Sequence, residues 1–170
     1  YLGIDKLYGK DIMKEEPDKV RDFVAWAHSK GYKVHATIAG GTAIPYLGAF
    51  ERYHSLAVRT MEEVINYNLS SAPDERFDGV NVDIEPYIHP AFKTDKPSLQ
   101  IQYLDGLQKM IHRRDAAGIN LPFGIVIPRW YDTSETAQSI TWNGSTKWLS
   151  QHIQDISDYI AIMDYRDAAD

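Results

Sequence analysis

The sequence predicts an α/β fold on a parallel sheet of five β units, arranged as a single domain over residues 1–170. Three observations carry that expectation. Five short apolar segments alternate with stretches of helical periodicity, the pattern of right-handed βαβ units. The connections after the strands are long and most of those after the helices are short, which marks the loops after the strands as the functional face. One strand also carries an all-polar row, Asn81, Asp83 and Glu85, opposite an all-apolar one.

Taken in order, Tyr1–Ile4 reads as the first strand. A helix follows with Pro17 in its first turn, Val20, Phe23, Val24 and Ala27 on one face, and Gly31 just past its end. Lys33–Ala39 is the second strand, stopped by Gly40-Gly41. The second helix runs from near Glu51 to Tyr67, with Tyr53, Leu56, Ala57, Met61, Val64 and Ile65 at helical spacing. Gly79–Glu85 is the third strand, and Pro86 ends it. The third helix begins near Ser98, buries Tyr103, Leu104, Leu107 and Ile111, and stops at Gly118. Phe123–Ile127 is the fourth strand. A last helix around Thr146–Ile156 leads into the fifth strand, Tyr159–Tyr165. Pattern alone leaves two architectures open: a complete flavodoxin-like sheet, or a segment of a (β/α)₈ barrel, which typically needs about 250 residues.

Composition removes several function classes. Hydrophobic residues at 44% and charged residues at 25% are the balance of an ordinary soluble globular protein. The net charge of -6 argues against nucleic acid or an anionic membrane as the main partner, since both need clustered Lys and Arg. No apolar run approaches the roughly 18 residues of a membrane span. Cysteine is absent, which removes disulfides, thiolate metal sites and Cys nucleophiles together. The six histidines show no His-x-x-x-His spacing, and no metal or cofactor is expected. The chain opens on Tyr1 with no visible signal peptide, so its N-terminus is expected to be cut or processed.

The stretch Phe77-Asp78-Gly79-Val80-Asn81-Val82-Asp83-Ile84-Glu85-Pro86-Tyr87 is the most informative. A period of two puts Val80, Val82 and Ile84 on the face covered by helices, and Asn81, Asp83 and Glu85 on the other. Pro86 is expected to hold Glu85 extended at the strand's rim. Two carboxylates about 7 Å apart on one face cannot both ionise freely, so one is expected to hold a proton near neutrality beside a charged helper.

This row resembles the Asp-x-x-Asp-x-Asp-x-Glu signature of glycoside hydrolase family 18, the chitinase and endo-N-acetylglucosaminidase family. Here it reads Asp78, Asn81, Asp83, Glu85, with Asn in place of the second Asp and Gly79 after the first. Thr37-Ile38-Ala39-Gly40-Gly41 is similar to the family's Ser-x-Gly-Gly, and Met163-Asp164-Tyr165 to its Met-x-Tyr-Asp, with Arg166 where the Asp is expected. The resemblance spans barrel strands two to six and so favours an incomplete barrel of TIM type, its remainder supplied by the parent chain. It implies that Glu85 is the acid/base and that Asp83 orients the substrate's acetamido group. Tyr165 then helps hold that group, with Asn81 and Met163 beside it. The implied activity is cleavage of an N-acetylhexosamine-containing glycan by substrate-assisted retaining catalysis, on an oligo- or polysaccharide, in a secreted or cell-surface protein. Two alternatives stand beside it: a catalytically silent glycan-binding barrel, and a retaining glycosidase whose nucleophile lies outside this segment.

Aromatic residues at strand ends and in the long loops suit stacking on sugar faces. Tyr8, Tyr46, Tyr87, Trp130, Tyr131 and Trp142 are placed there, with Trp130-Tyr131 the stacking pair and Tyr87 a further substrate contact. Trp26 and Trp148 read as packing residues. His35 reads as inward-pointing with a structural hydrogen bond, and His89 as a cleft residue. Asn68-Leu69-Ser70 and Asn143-Gly144-Ser145 match the glycosylation sequon.

Overall fold

The computed structural model of the chain describes residues 1–5, 11–41, 44–132 and 139–165. In chain order the elements are β1 (Leu2–Gly3), α1 (Ile12–Glu15), α2 (Pro17–Ser29), β2 (His35–Ile38), α3 (His54–Ser70), β3 (Gly79–Val82), α4 (Ala91–Thr94), α5 (Lys96–Ala116) and β4 (Phe123–Pro128). A hairpin of β5 (Ile140–Trp142) and β6 (Ser145–Lys147) follows, then α6 (Leu149–Ile156) and β7 (Tyr159–Met163).

The sheet order is β1-β2-β3-β4-β7, parallel throughout. Strands that add in chain order through right-handed crossovers send every helix to the same face. A flavodoxin-like sheet instead reverses direction and carries helices on both faces. The covered face is apolar: Ala36, Ile38, Val80, Val82, Phe123, Ile125 and Ile127 are buried against Val24, Met61, Val64, Leu104, Leu107 and Met110 of the helices. β1 and β7 are the edges of this open sheet.

The other face carries His35, Thr37, Asn81, Gly124, Val126, Tyr159 and Ala161, in register across the strands. At its lower end the Tyr159 hydroxyl meets His35 Nδ1 at 2.6 Å and donates to the Val80 carbonyl at 3.0 Å. This is the structural hydrogen bond expected of His35. With the hydroxyl proton committed to Val80, Nδ1 is the donor to Tyr159, and burial holds the imidazole below its ordinary range in the neutral form. The Tyr159 ring lies directly over Gly124, where a Cβ would come within 2.5 Å of the hydroxyl oxygen and closer to Cζ and Cε2. Gly124 is there because the ring is.

Several local expectations change. β3 ends at Val82 rather than Glu85, because β2 turns away at Gly40 and Gly41, with φ of +88° and +74°. Asp83 N still donates to Ile38 O at 2.7 Å, but Glu85 N donates to Pro45 O of the loop at 3.0 Å. Residues 140–147 form the hairpin where a helix start was expected at Thr146. The Asn143-Gly144 pair supplies its two positive-φ residues, 47° and 77°, the requirement of a tight two-residue turn. Phe23 and Trp26 are not core: their rings pack on each other at 5.9 Å on the exposed flank of α2, and Trp26 is 54% exposed. Trp148 is also exposed, at the N-cap of α6. Asn68 is buried, bonded through its amide to both backbone groups of Phe77, so it offers no exposed amide to a glycan. Among the described residues no helix is long and apolar enough to cross a membrane.

Candidate active site

The polar row of β3 opens at the C-terminal end of the sheet. Asn81 and Asp83 line a cavity of ≈ 240 Å³ with Thr37 of β2, Val126 of β4, and Ala161, Met163 and Tyr165 at the β7 end. Four of the residues singled out in the sequence, Asn81, Asp83, Met163 and Tyr165, therefore converge on one hollow. Thr37, from the Gly-Gly strand, joins them. Tyr165 stands at the rim, 89% exposed. Tyr8 and Arg166 lie outside the described residues.

Three buried oxygens in this hollow have no hydrogen-bond partner: Thr37 Oγ1, Asn81 Oδ1 and Asp83 Oδ1. An unpaired buried polar atom costs about 1–3 kcal/mol, so three together mark a surface built to receive polar groups. Burial first, and then the charge of Glu85, push the Asp83 carboxyl above its ordinary value.

Glu85 sits on a different footing. It N-caps the 3-10 turn Pro86–Ile88 with φ -112° and ψ 71°, so the chain bends at the residue expected to be extended. Its Oε1 accepts a hydrogen bond from the Tyr87 hydroxyl. Burial, followed by that bond, drives the Tyr87 phenol far above its usual value, so it keeps the proton it donates to Glu85. Glu85 is half-buried beside the hollow rather than within its wall.

Trp130 and Tyr131 do not form a sugar platform together. Both pack edge-on against Tyr87, at 5.0 and 6.2 Å between ring centroids, and Tyr131 stacks on Phe92 at 6.3 Å. Tyr131 is 3% exposed, because the turn after β4 folds back under the turn after β3. Trp130, half-buried, keeps part of its surface. Trp142 is buried in the hairpin, its Nε1 donating to Asp105 at 2.8 Å. Tyr46 packs on His89 at 5.1 Å, and His89 is clasped between it and Phe50 at 4.8 Å.

Three buried polar features escape the sequence pattern. Asp5, just past β1, is buried, and its carboxylate accepts from the amides of Ala39 and Gly41 (the latter at 3.0 Å), fixing the turn that ends β2. Burial outweighs those bonds and raises its pKa to about 6. Tyr103 on α5 is 1% exposed with an unpartnered hydroxyl, and Tyr131 likewise. Gln100, one helical turn before Tyr103, has both amide atoms unpartnered. A helical apolar stripe gives no sign that a tyrosine within it lacks a partner. Among the described residues no group of three or more His, Asp or Glu side chains is arranged to hold a metal ion.

Comparison of the chain with family models, curated proteins and solved structures finds no match. The glycoside hydrolase resemblance therefore rests on the sequence motifs alone.

Proposed function

We propose that the chain carries the acid/base strand of a glycosidase that cleaves N-acetylhexosamine-containing glycans. The observation that supports this best is the hollow itself: Asp83, with one unpartnered carboxylate oxygen, shares it with Asn81, Thr37, Met163 and Tyr165 at the C-terminal end of a parallel strand. In this reading Glu85 protonates the glycosidic oxygen. Asp83 turns the acetamido group so that its carbonyl oxygen attacks the anomeric carbon, and Asn81 and Thr37 hold the neighbouring polar atoms. After the leaving group departs, Glu85 takes a proton from water, which opens the cyclic intermediate.

The same reading takes the sheet to be part of a (β/α) barrel, with further β units from the parent chain. Chain-order strands with one helical face suit that architecture. So do the apolar side chains left at both edges. Tyr1, Phe23, Trp26 and Tyr32 share a groove beside β1, and Ile162 of β7 is 57% exposed. A secreted or cell-surface location goes with the substrate class.

One observation favours glycan binding without cleavage. Glu85 Oε1 is already engaged by the Tyr87 hydroxyl, so that oxygen is committed within the protein rather than to a leaving group. Initial-rate hydrolysis of paired N-acetylglucosaminyl and glucosyl aryl oligosaccharides separates the readings. The proposal expects cleavage confined to the N-acetyl substrate and a loss of about 10²–10⁴-fold in Glu85→Gln. Equal rates on both substrates refute the acetamido mechanism and point to a protein nucleophile. Glycan binding with no turnover by the wild type establishes the silent form.

A further inference from the structure

We propose that His54 is an acid-sensitive latch on the loop after β2: it is seated only as the neutral imidazole, and its protonation frees the loop that holds the Glu85 backbone. The described part of that loop, residues 44–53, contains two 3-10 turns, Leu47–Ala49 and Glu51–Tyr53, that lie against α5. It meets the end of the acidic strand at three points. Pro45 O accepts from Glu85 N at 3.0 Å. The rings of Tyr46 and Phe50 clasp His89 at 5.1 and 4.8 Å. Gly48 packs so closely on β2 that a Cβ there would stand 2.8 Å from the Gly40 Cα. Loosening the base of this loop therefore loosens the backbone of Glu85.

His54 is that base. It is the first residue of α3 and is 3% exposed. Its Nδ1 lies 3.0 Å from Lys109 Nζ on α5. An ammonium has donors only, so Nδ1 is the acceptor and the single ring proton sits on Nε2. Nε2 has no hydrogen-bond partner, and it is pressed against the backbone of α5, where a Cβ on Gly106 would stand 2.9 Å from Nε2 and from Cδ2. A second proton has only Nδ1 to go to, against the Lys109 ammonium. The resulting imidazolium is buried, faces a like charge and stands at the positive end of the α3 dipole. The charged groups acting on it are Lys109 and Asp105 from α5 and Glu51 from the preceding turn. Burial, and then Lys109, hold the imidazole below its ordinary value, against the Ala49 carbonyl and the two carboxylates, which favour the proton. The closed loop thus binds one proton fewer than the open one. Its advantage is complete above about 6.5 and is lost as pH falls below that.

The test is amide hydrogen exchange of the full chain by NMR between pH 7.5 and 5, each rate taken relative to that of an unstructured peptide at the same pH. Glu85 N–H reports the bond to Pro45, and Glu51 N–H its own bond to Gln102 Oε1 at 3.1 Å. Asp83 N–H, bonded to Ile38 O, is the reference within the sheet. With an ordinary histidine pKa of about 6.5 in the open form and no proton taken up in the closed one, opening grows about 30-fold by pH 5. Protection of Glu85 and Glu51 is therefore expected to fall about 10- to 30-fold while Asp83 holds. His54→Gln keeps an acceptor for Lys109 and does not titrate, so it is expected to flatten the profile. Lys109→Met, at an exposed position, is expected to make it shallower by about threefold. His89→Gln changes the other histidine that touches the loop and is expected to leave the wild-type slope. Protection that does not vary with pH overturns the proposal, as does a slope that survives in His54→Gln. If that variant does not fold, a slope unchanged in Lys109→Met overturns it. A slope removed by His89→Gln assigns the response to His89 and overturns it as well. The readout needs neither glycan nor turnover, so its outcome is separate from that of the glycosidase reading.

Discussion

Gly124→Ala is the sharpest test of how the open face is built. The added Cβ would lie 2.5 Å from the Tyr159 hydroxyl oxygen and nearer still to two ring carbons. Non-bonded carbons settle at about 3.5–4.0 Å, so the ring must move by more than about 1 Å. It cannot move freely, since its hydroxyl is tied to the Val80 carbonyl at 3.0 Å and to His35 Nδ1 at 2.6 Å. Overpacking of this kind costs about 1–3 kcal/mol, and the two hydrogen bonds add about 1 kcal/mol each, for about 3–5 kcal/mol in all. The assay is urea unfolding followed by far-UV circular dichroism, with Tyr159→Ala and the double variant completing a cycle. With the ring gone, Gly124→Ala should cost less than about 1 kcal/mol, giving a coupling of about 2–4 kcal/mol. A single variant within about 0.5 kcal/mol of wild type refutes the steric argument. So does a cycle that adds without coupling.

Two buried or paired titrating groups make opposite edges of the pH profile legible. Asp5 is favoured in its protonated form on folding, its pKa raised from 3.8 to about 6 by burial. The native state therefore binds the extra proton, and stability falls by about 3 kcal/mol as pH rises through that window. Unfolding at intervals from pH 3.5 to 7 should show this slope, and Asp5→Asn should flatten it; an unchanged slope removes Asp5 as the cause. His28 is raised by its Asp78 hydrogen bond at 2.9 Å, against the pull of burial. Its contribution is complete below 6.5 and is lost as pH climbs through the higher folded value, so His28→Gln should flatten the profile only above about 6.5. A flattening confined to lower pH contradicts that assignment.

Much of this was legible because strands and helices impose different periods. The alternation Val80, Asn81, Val82, Asp83 divides the two faces correctly with no knowledge of neighbours. The apolar stripe of α5 likewise finds its buried side. What escaped was set by tertiary placement. Phe23 has the spacing of a core residue, but the flank of α2 beside the β1 edge has no element over it among the described residues. Tyr131 follows a strand, where exposure is the default, and is buried only because Tyr87 and Phe92 close on it. Asn143-Gly144 carried two meanings at once. The sequon drew attention from the stronger signal, a turn dipeptide that needs positive φ at both positions. Asp5 and Tyr103 depend on whether a particular atom finds a partner, which no one-dimensional pattern records.

The chain-order sheet has a consequence for how the protein is assembled. Each strand of the parallel sheet hydrogen-bonds to the sheet strand that precedes it in the chain, so every new β unit from β2 onward docks on a surface already made. Contacts of short sequence separation close cheaply and early, and a chain emerging from the ribosome meets its partners in the order it needs them. The open face works the other way. His35 and Tyr159 are 124 positions apart, and their bond cannot form until β7 has been laid down. The helical side can therefore consolidate as the chain is synthesised. The wall of the hollow opposite Asp83 is completed only when β7 is laid down, so a chain interrupted before β7 lacks Ala161 and Met163 from that wall.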